Sequence, residues 1–190
     1  MKSISAIDAF CGAGGLSIGL SKVGFDILLG FDLDKKCIET LRSNPKTIRH
    51  VALQADVKDM LGGQLLKKSG ITNGELDLLA GGPPCQGFSI QRTIGGDRDA
   101  RNLLVDDYGD LIAEVQPRFF LMENVPGIGG KRGREIVDHF KERMSSIGYY
   151  CHESILDAQD FGVPQRRRRF IVVGEKVSEQ GPFFEWPKKI

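Results

Sequence analysis

The sequence predicts an α/β fold of Rossmann-like type, a mostly parallel sheet with helices on both faces, built as a single domain over residues 1–190. Three observations predict it. Short apolar runs of strand length alternate with segments of helical spacing along the whole chain. A glycine-rich turn, Cys11-Gly12-Ala13-Gly14-Gly15, joins the first such run to a helix-compatible stretch. Acidic residues recur where later runs end, at Asp32, Asp56 and Glu123, and the ends of the strands are where open α/β sheets place their chemistry.

Residues 3–10 read as the first strand and residues 16–24 as the helix after the turn. Glycines let a ligand approach the backbone, and the helix N-terminus offers free amides to a polar or anionic group. Residues 25–31 form a second strand ending in Asp32-Leu33-Asp34. An acid about 20 residues beyond a glycine turn is where nucleotide-binding sheets hold a ribose hydroxyl. A helix is expected over 35–42, stopping before Asn44-Pro45, and a third strand over 51–57. Asp34 reads as a solvated cap, and Asp56 equally well as a cap or a ligand.

After a short helix and loop over 58–75, a fourth strand at 76–80 delivers the chain to Gly81-Gly82-Pro83-Pro84-Cys85. Prolines cannot continue a ladder, so the strand ends there and the backbone stiffens just before the thiol. That placement marks Cys85 as a nucleophile and not only a small buried apolar group. Residues 90–102 are polar, glycine-bearing and carry three arginines. They read as a loop, either a lid over a nucleic-acid substrate or a solvated surface segment.

A helix over 103–115 and a fifth strand over 118–122 lead to Glu123-Asn124-Val125-Pro126-Gly127. If the sheet is parallel, Glu123 shares an edge with Cys85. A buried glutamate facing a cleft has a raised pKa, which suits a proton donor. A helix over 135–147, a sixth strand over 149–156 and a last strand over 170–174 complete the pattern. Gln165-Arg166-Arg167-Arg168-Arg169 precedes that last strand. Alternation along a strand sends Arg167 and Arg169 to one face and Arg166 and Arg168 to the other. The aromatic, proline-bearing tail over 180–190 does not make a further subdomain.

Composition narrows the function classes. With 190 residues, 41% of them hydrophobic, the chain can bury a full core. A formal net charge of +1 excludes whole-molecule attraction to a polyanion, so nucleic-acid contact has to come from local patches. The four cysteines lie far apart, without the close pairs of zinc or redox motifs, and no metal site is expected. No apolar run reaches the roughly 18 residues of a membrane span. These features give the expectation of a reduced, soluble, cytoplasmic protein that does not engage a membrane.

Taken together, Asp8-Ala9-Phe10-Cys11-Gly12-Ala13-Gly14-Gly15-Leu16, Gly82-Pro83-Pro84-Cys85-Gln86-Gly87-Phe88-Ser89, Glu123-Asn124-Val125 and Gln165-Arg166-Arg167-Arg168-Arg169 resemble, in order and spacing, the DNA cytosine-5 methyltransferase family. The resemblance implies an S-adenosylmethionine-dependent methyltransferase fold acting on cytosine in double-stranded DNA. It implies cofactor contacts at Phe10, Gly12, Gly14, Gly15, Leu16, Asp32, Leu33, Asp56, Val57 and Pro83. Leu33 stands where the family often has an aromatic against adenine. The resemblance assigns catalysis to Cys85 as nucleophile, Glu123 as the acid at the ring, and Arg167 and Arg169 near the cytosine and its phosphate. Pro84, Gln86, Ser89, Arg101, Asn124 and Gln165 are implied to meet the substrate.

Complete members of the family continue with a target-recognition region and two further motifs, for which the segment after Gly174 is too short. The target-recognition domain is therefore expected to be absent, the chain being one subunit of a split methyltransferase whose second protein chain supplies it, a truncated gene product, or a fragment of a longer protein. Rival readings are a nicotinamide-dependent dehydrogenase, which gives no reason for Pro83-Pro84-Cys85, a non-catalytic nucleic-acid-binding remnant, and an RNA cytosine methyltransferase.

Overall fold

The structure is a computed structural model that describes residues 3–84, 103–131 and 133–190. In chain order the elements are β1 (Ile4–Ala9), α1 (Gly15–Lys22), β2 (Phe25–Asp32), α2 (Lys35–Arg42), β3 (Val51–Gln54), α3 (Gln64–Ser69), β4 (Leu78–Gly81), α4 (Leu103–Val115), β5 (Phe119–Asn124), α5 (Arg134–Ser146), β6 (Tyr149–Asp157) and β7 (Arg168–Lys176). The strands form one sheet in the order β3-β2-β1-β4-β5-β7-β6. β1 to β5 pair in parallel, while β7 is antiparallel to both β5 and β6. β6 thus runs with the first five strands, and β7 is the inverted one.

Period-two alternation decides which helices cover which face. On β1, Ile7 and Ala9 join the main core with Tyr108, Leu111 and Ile112 of α4 and Val137, Phe140 and Met144 of α5. Ala6 faces the other way and clusters with Ile27, Leu78 and Ala80 against Leu16 and Leu20 of α1. Ile38 and Leu41 of α2 pack beside them with Cys11 and Ala52. Helices therefore lie on both faces, as expected of a sheet buried on both sides. At Gly174 a Cβ would fall 1.8 Å from the ring of Phe120, so only glycine lets β7 lie against that ring.

The third strand is shorter than the expected 51–57. It stops at Gln54, and Val57–Met60 forms a 3-10 turn because the Asp56 carboxylate accepts the Lys58 N–H at 3.0 Å. A capping carboxylate offers the backbone an alternative to the ladder. Asp34 caps α2 in the same way, accepting from the Lys36 N–H at 2.8 Å.

Residues 177–190 form no helix or strand, yet they are held against the sheet. The buried Glu175 carboxylate accepts the Phe183 N–H at 2.8 and 2.9 Å and the Phe184 N–H at 2.9 Å. The Phe184 ring packs on His152 and Trp186. The Ile190 N–H donates to Asp160 O at 3.0 Å, so this segment returns along the sheet to the end where β6 finishes.

Candidate active site

Parallel pairing of β4 with β5, with Gly81 opposite Met122, brings the Gly82-Pro83-Pro84 turn and the Glu123-Asn124 pair to one edge. The turn is held from two sides. The Tyr108 hydroxyl on α4 lies 2.9 Å from Leu79 O and 3.0 Å from Leu121 O, bridging the two strands below it. A Cβ at Gly81 would meet the Tyr108 ring at 2.7 Å, which accounts for the glycine there. The Asn124 Nδ2–H donates to Pro83 O at 2.9 Å, and Asn124 Oδ1 accepts the Val125 N–H at 2.9 Å. With 4% exposure, Asn124 is a buried strut for the turn. The resemblance implied a substrate contact for it; its influence on a substrate would run through the turn that leads to Cys85. Cys85, Gln86, Ser89 and Arg101, with the loop over 90–102, lie outside the described residues.

On the β1 side, Phe10 takes a left-handed backbone with φ of 55°, unusual for a residue with a side chain. Such a conformation costs about 1–2 kcal/mol and persists only where the surroundings impose it. The following turn is fixed through Asp32. The Gly12 N–H donates to Asp32 Oδ2 at 2.8 Å and the Asp34 N–H to Asp32 Oδ1 at 2.8 Å. Each carboxylate oxygen can accept more than one hydrogen bond, so Asp32 keeps acceptor capacity for a ligand hydroxyl. Gly14, at φ of 88°, is the residue before α1, and a Cβ there would strike Leu41 at 2.4 Å.

A cavity of about 280 Å³ opens beside this turn, lined by Phe10, Phe31, Asp32, Leu33, Asp56 and Val57, with Gly82, Pro84 and Leu104 completing the wall. Its walls are aromatic and aliphatic with two carboxylates, Asp32 and Asp56, the mix of apolar surface and a few polar groups common in small-molecule sites. Leu33 is 65% exposed and forms the outer wall. Asp56 both caps the 3-10 turn and lines this cavity.

A second cavity of about 510 Å³ shares Phe10 and Gly82 with the first and is lined also by Asp8, Cys11, Gly15, Leu16, Glu123 and Arg167. Glu123 Oε1 accepts the Arg169 Nε–H at 2.5 Å and lies 4.0 Å from Arg167 Nη2. The Glu123 side chain is 31% exposed, so the expected buried glutamate is half-buried and ion-paired. The inverted β7 produces this pairing: Glu123 lies opposite Ile171, so the residues leading into β7 arrive where the parallel strands end. Arg167 and Arg169 share the face of Glu123; Arg169 is half-buried, while Arg166, Arg167 and Arg168 are exposed. Gln165 is exposed, and its N–H donates to Val163 O at 2.7 Å.

Sequence reasoning did not single out Asp8 by role. It is 1% exposed and accepts both the N–H and the hydroxyl of Ser17, at 2.9 and 2.5 Å, through Oδ2. Burial pushes its carboxyl up to about 6, the Ser17 bonds pull the other way, and the charge of Asp32 adds to the rise. The signal was present in the sequence as an acid inside an otherwise apolar run. Burial, with smaller contributions from Asp8 and Asp32, also pushes the Cys11 thiol far up, so it stays neutral. A third cavity of about 520 Å³, with Lys22, Phe25, Lys46 and Arg49 in its wall, lies by the N-terminal end of β2, away from these groups.

Residues 4–190 match the C-5 cytosine-specific DNA methylase family. The chain belongs to that family. Among its relatives, the type II methyltransferase M1.HphI of Haemophilus parahaemolyticus is 37% identical over 92% of this chain and 46% of its own length. The type II methyltransferase M.AquIA of Picosynechococcus is 34% identical over 96% of this chain and 75% of its own length. A prophage-encoded E. coli protein described as a DNA modification methyltransferase superposes with a TM-score of 0.78 at 31% identity, over 97% of this chain and 52% of the other. The Dnmt2 methyltransferase of S. pombe, 20% identical with a TM-score of 0.72, shares the fold. The chain spans about half the length of most of the curated relatives it matches. Among the described residues no cluster of His, Cys, Asp and Glu could hold a metal, and no helix is long and apolar enough to cross a membrane.

Proposed function

We propose that this methylase-family chain transfers a methyl group from S-adenosylmethionine to carbon 5 of cytosine in double-stranded DNA, with Cys85 as the covalent nucleophile. The observation that carries this reading is the meeting of Glu123, Arg167 and Arg169 beside the Pro83-Pro84 turn, next to a cavity suited to a nucleoside. The adenosine half of the cofactor would be held by Phe10, Leu33, Asp56 and Val57 with its ribose at Asp32, and the remainder by the turn at Gly12, Gly14, Gly15 and Leu16. When bound, the cofactor supplies an electrophilic methyl group on a sulfonium.

Carbon 5 of cytosine is a poor nucleophile. Attack of the Cys85 thiolate on carbon 6 converts the ring to an enamine, dividing one hard step into two easier ones. Charge developing on the ring needs a proton or hydrogen bond at N3, the role of Glu123, and a cation near O2, the role of an arginine. Once carbon 5 has formed its bond to the methyl group, a base takes the carbon 5 proton and the Cys85 to carbon 6 bond breaks, releasing the thiol. The target carbon is hidden in a duplex, so the base has to be flipped out, at a cost of roughly a few kcal/mol.

Target recognition is assigned to a second polypeptide or a further segment, because the chain spans about half the length of the relatives first compared. With few groups left to read base edges, the 190-residue chain alone is expected to act weakly. The working compartment in this reading is the cytoplasm, and the family members compared above make a role in restriction-modification the natural setting.

The test is trapping on DNA containing 5-fluorocytosine, with cofactor, by the chain alone and with a candidate partner. A covalent adduct that disappears in Cys85→Ser supports the reading. An adduct that survives the substitution, or none under either condition, overturns it, and trapping on RNA but not DNA moves the substrate to RNA.

A further inference from the structure

The third cavity, of about 520 Å³, has no part in the chemistry above. It opens where α1 ends, β2 begins and the chain over 46–50 approaches β3. Lys22, Lys46 and Arg49 stand in its wall against a single carboxylate, Asp26. All three cations are exposed, and none forms an ion pair among the described residues. Asp26 Oδ2 accepts the Ser3 hydroxyl at 3.5 Å and pairs with none of them. Like charges gathered round one concavity repel each other, and an anion set among them turns that repulsion into attraction.

The other groups in the wall narrow the anion. The Ser21 and Thr47 hydroxyls can donate to oxygen, and Arg49 carries the planar fork that matches a phosphate. Ile18, Phe25 and Ile27 add an apolar side. A Cβ at Gly30 would lie 3.0 Å from His50 Nε2, so the glycine leaves room for the His50 ring at the back of the wall. Burial lowers the pKa of that ring, so it is neutral and adds no charge. Its Nε2 is buried and makes no hydrogen bond among the described residues, so the wall holds a polar group that the fold itself leaves unpaired.

The volume is that of a small-molecule site, and a wall part cationic and part apolar suits a phosphate carried on an organic group. DNA bound at the edge near Glu123 would not reach it. The eight residues of β2 put about 25 Å between the two edges of the sheet, about three screening lengths at physiological salt. We propose that this cavity binds the phosphate groups of a small phosphorylated molecule, a nucleotide in class, at a site separate from the methyl-transfer chemistry.

Calorimetry and amide NMR on the 190-residue chain test this, with inorganic pyrophosphate, uridine diphosphate and uridine as probes. Pyrophosphate and uridine diphosphate should bind at low salt and shift the amides of Lys22, Gly24, Thr47 and Arg49, leaving those of Gly12 and Asp32 unmoved. Uridine, without phosphate, should bind at least about tenfold more weakly. Lys46→Gln combined with Arg49→Gln replaces two exposed, unpaired side chains, so the thermal midpoint should hold while affinity for both phosphorylated probes falls at least about tenfold. Asp26→Asn removes the opposing carboxylate and should tighten binding by about threefold. No binding of either phosphorylated probe, shifts at Gly12 and Asp32 in place of those named, or unchanged affinity in the double variant overturns the proposal. So does a preference for a cytosine-free DNA duplex or a polyglutamate peptide over uridine diphosphate, which would give the surface to a macromolecule.

Discussion

Replacing Asp8 by asparagine should stabilise the ligand-free chain near neutral pH and lose much of that advantage in mild acid. In the folded chain the Asp8 carboxyl titrates near 6, against 3.8 for an ordinary aspartate. The native fold therefore holds a proton that the unfolded chain has released, and stability declines as pH rises through this window. The full span amounts to about 3 kcal/mol, of which about 1.4 kcal/mol falls between pH 5 and pH 7.5. Asparagine can still accept both Ser17 bonds, so the comparison isolates the charge. Urea unfolding of both proteins at pH 5, 6 and 7.5 gives the difference directly. It should move in favour of Asp8→Asn by about 1.4 kcal/mol across that range. A difference that stays constant with pH, or moves the other way, would refute the claim that Asp8 is ionised at a cost in the native fold.

Asn124→Ala removes the bond to Pro83 O that holds the turn before Cys85, together with the one accepted from the Val125 N–H, and should cost about 2–3 kcal/mol in denaturant melts, while reducing 5-fluorocytosine adduct formation more than that loss explains. Gly174→Ala should lower the thermal midpoint sharply, by the equivalent of about 3 kcal/mol, because the new methyl overlaps the Phe120 ring. Arg169→Ala removes a half-exposed ion pair and should change stability by under about 1 kcal/mol. Adduct formation should nevertheless fall by about a hundredfold, measured as a trapping rate. Arg169→Lys should recover little of it, lacking the Nε–H directed at Glu123.

The elements of the fold were legible because their signals are local. Lys35–Arg42 and Leu103–Val115 begin and end where the helical spacing put them. β3 was overrun because Val57 continued an apolar run, and only the Lys58 N–H to Asp56 bond shows that the chain has already turned. At the site, sequence could place Glu123 on the edge that receives the Gly81-Gly82-Pro83-Pro84 turn, since both follow strands of the same direction. It could not show that Glu123 is paired with Arg169, a contact across 46 positions set by the direction of one strand. Asp8 was hidden for another reason: its environment comes from Ser17, Asp32 and the depth of burial together, none of which a strand pattern encodes. The tail over 180–190 read as making no further subdomain, and it forms no helix or strand; what sequence could not show is its anchor, the Glu175 carboxylate on β7.

The course of that tail decides where attachments to this protein will be felt. β7 ends at the edge remote from the chemistry, so residues 177–190 have to travel back along the sheet, and Ile190 finishes beside Asp160 next to the end of β6. Ser3 and Ile4 begin at the remote edge, a strand's length of about 20 Å from the turn after β1. An affinity handle or fluorophore joined ahead of Ser3 therefore leaves the two cavities beside Phe10 clear. A polypeptide tethered after Ile190 starts beside the end of β6, on the sheet edge that the proposed DNA substrate would meet, which makes that end the place to fuse a candidate recognition module with a short linker.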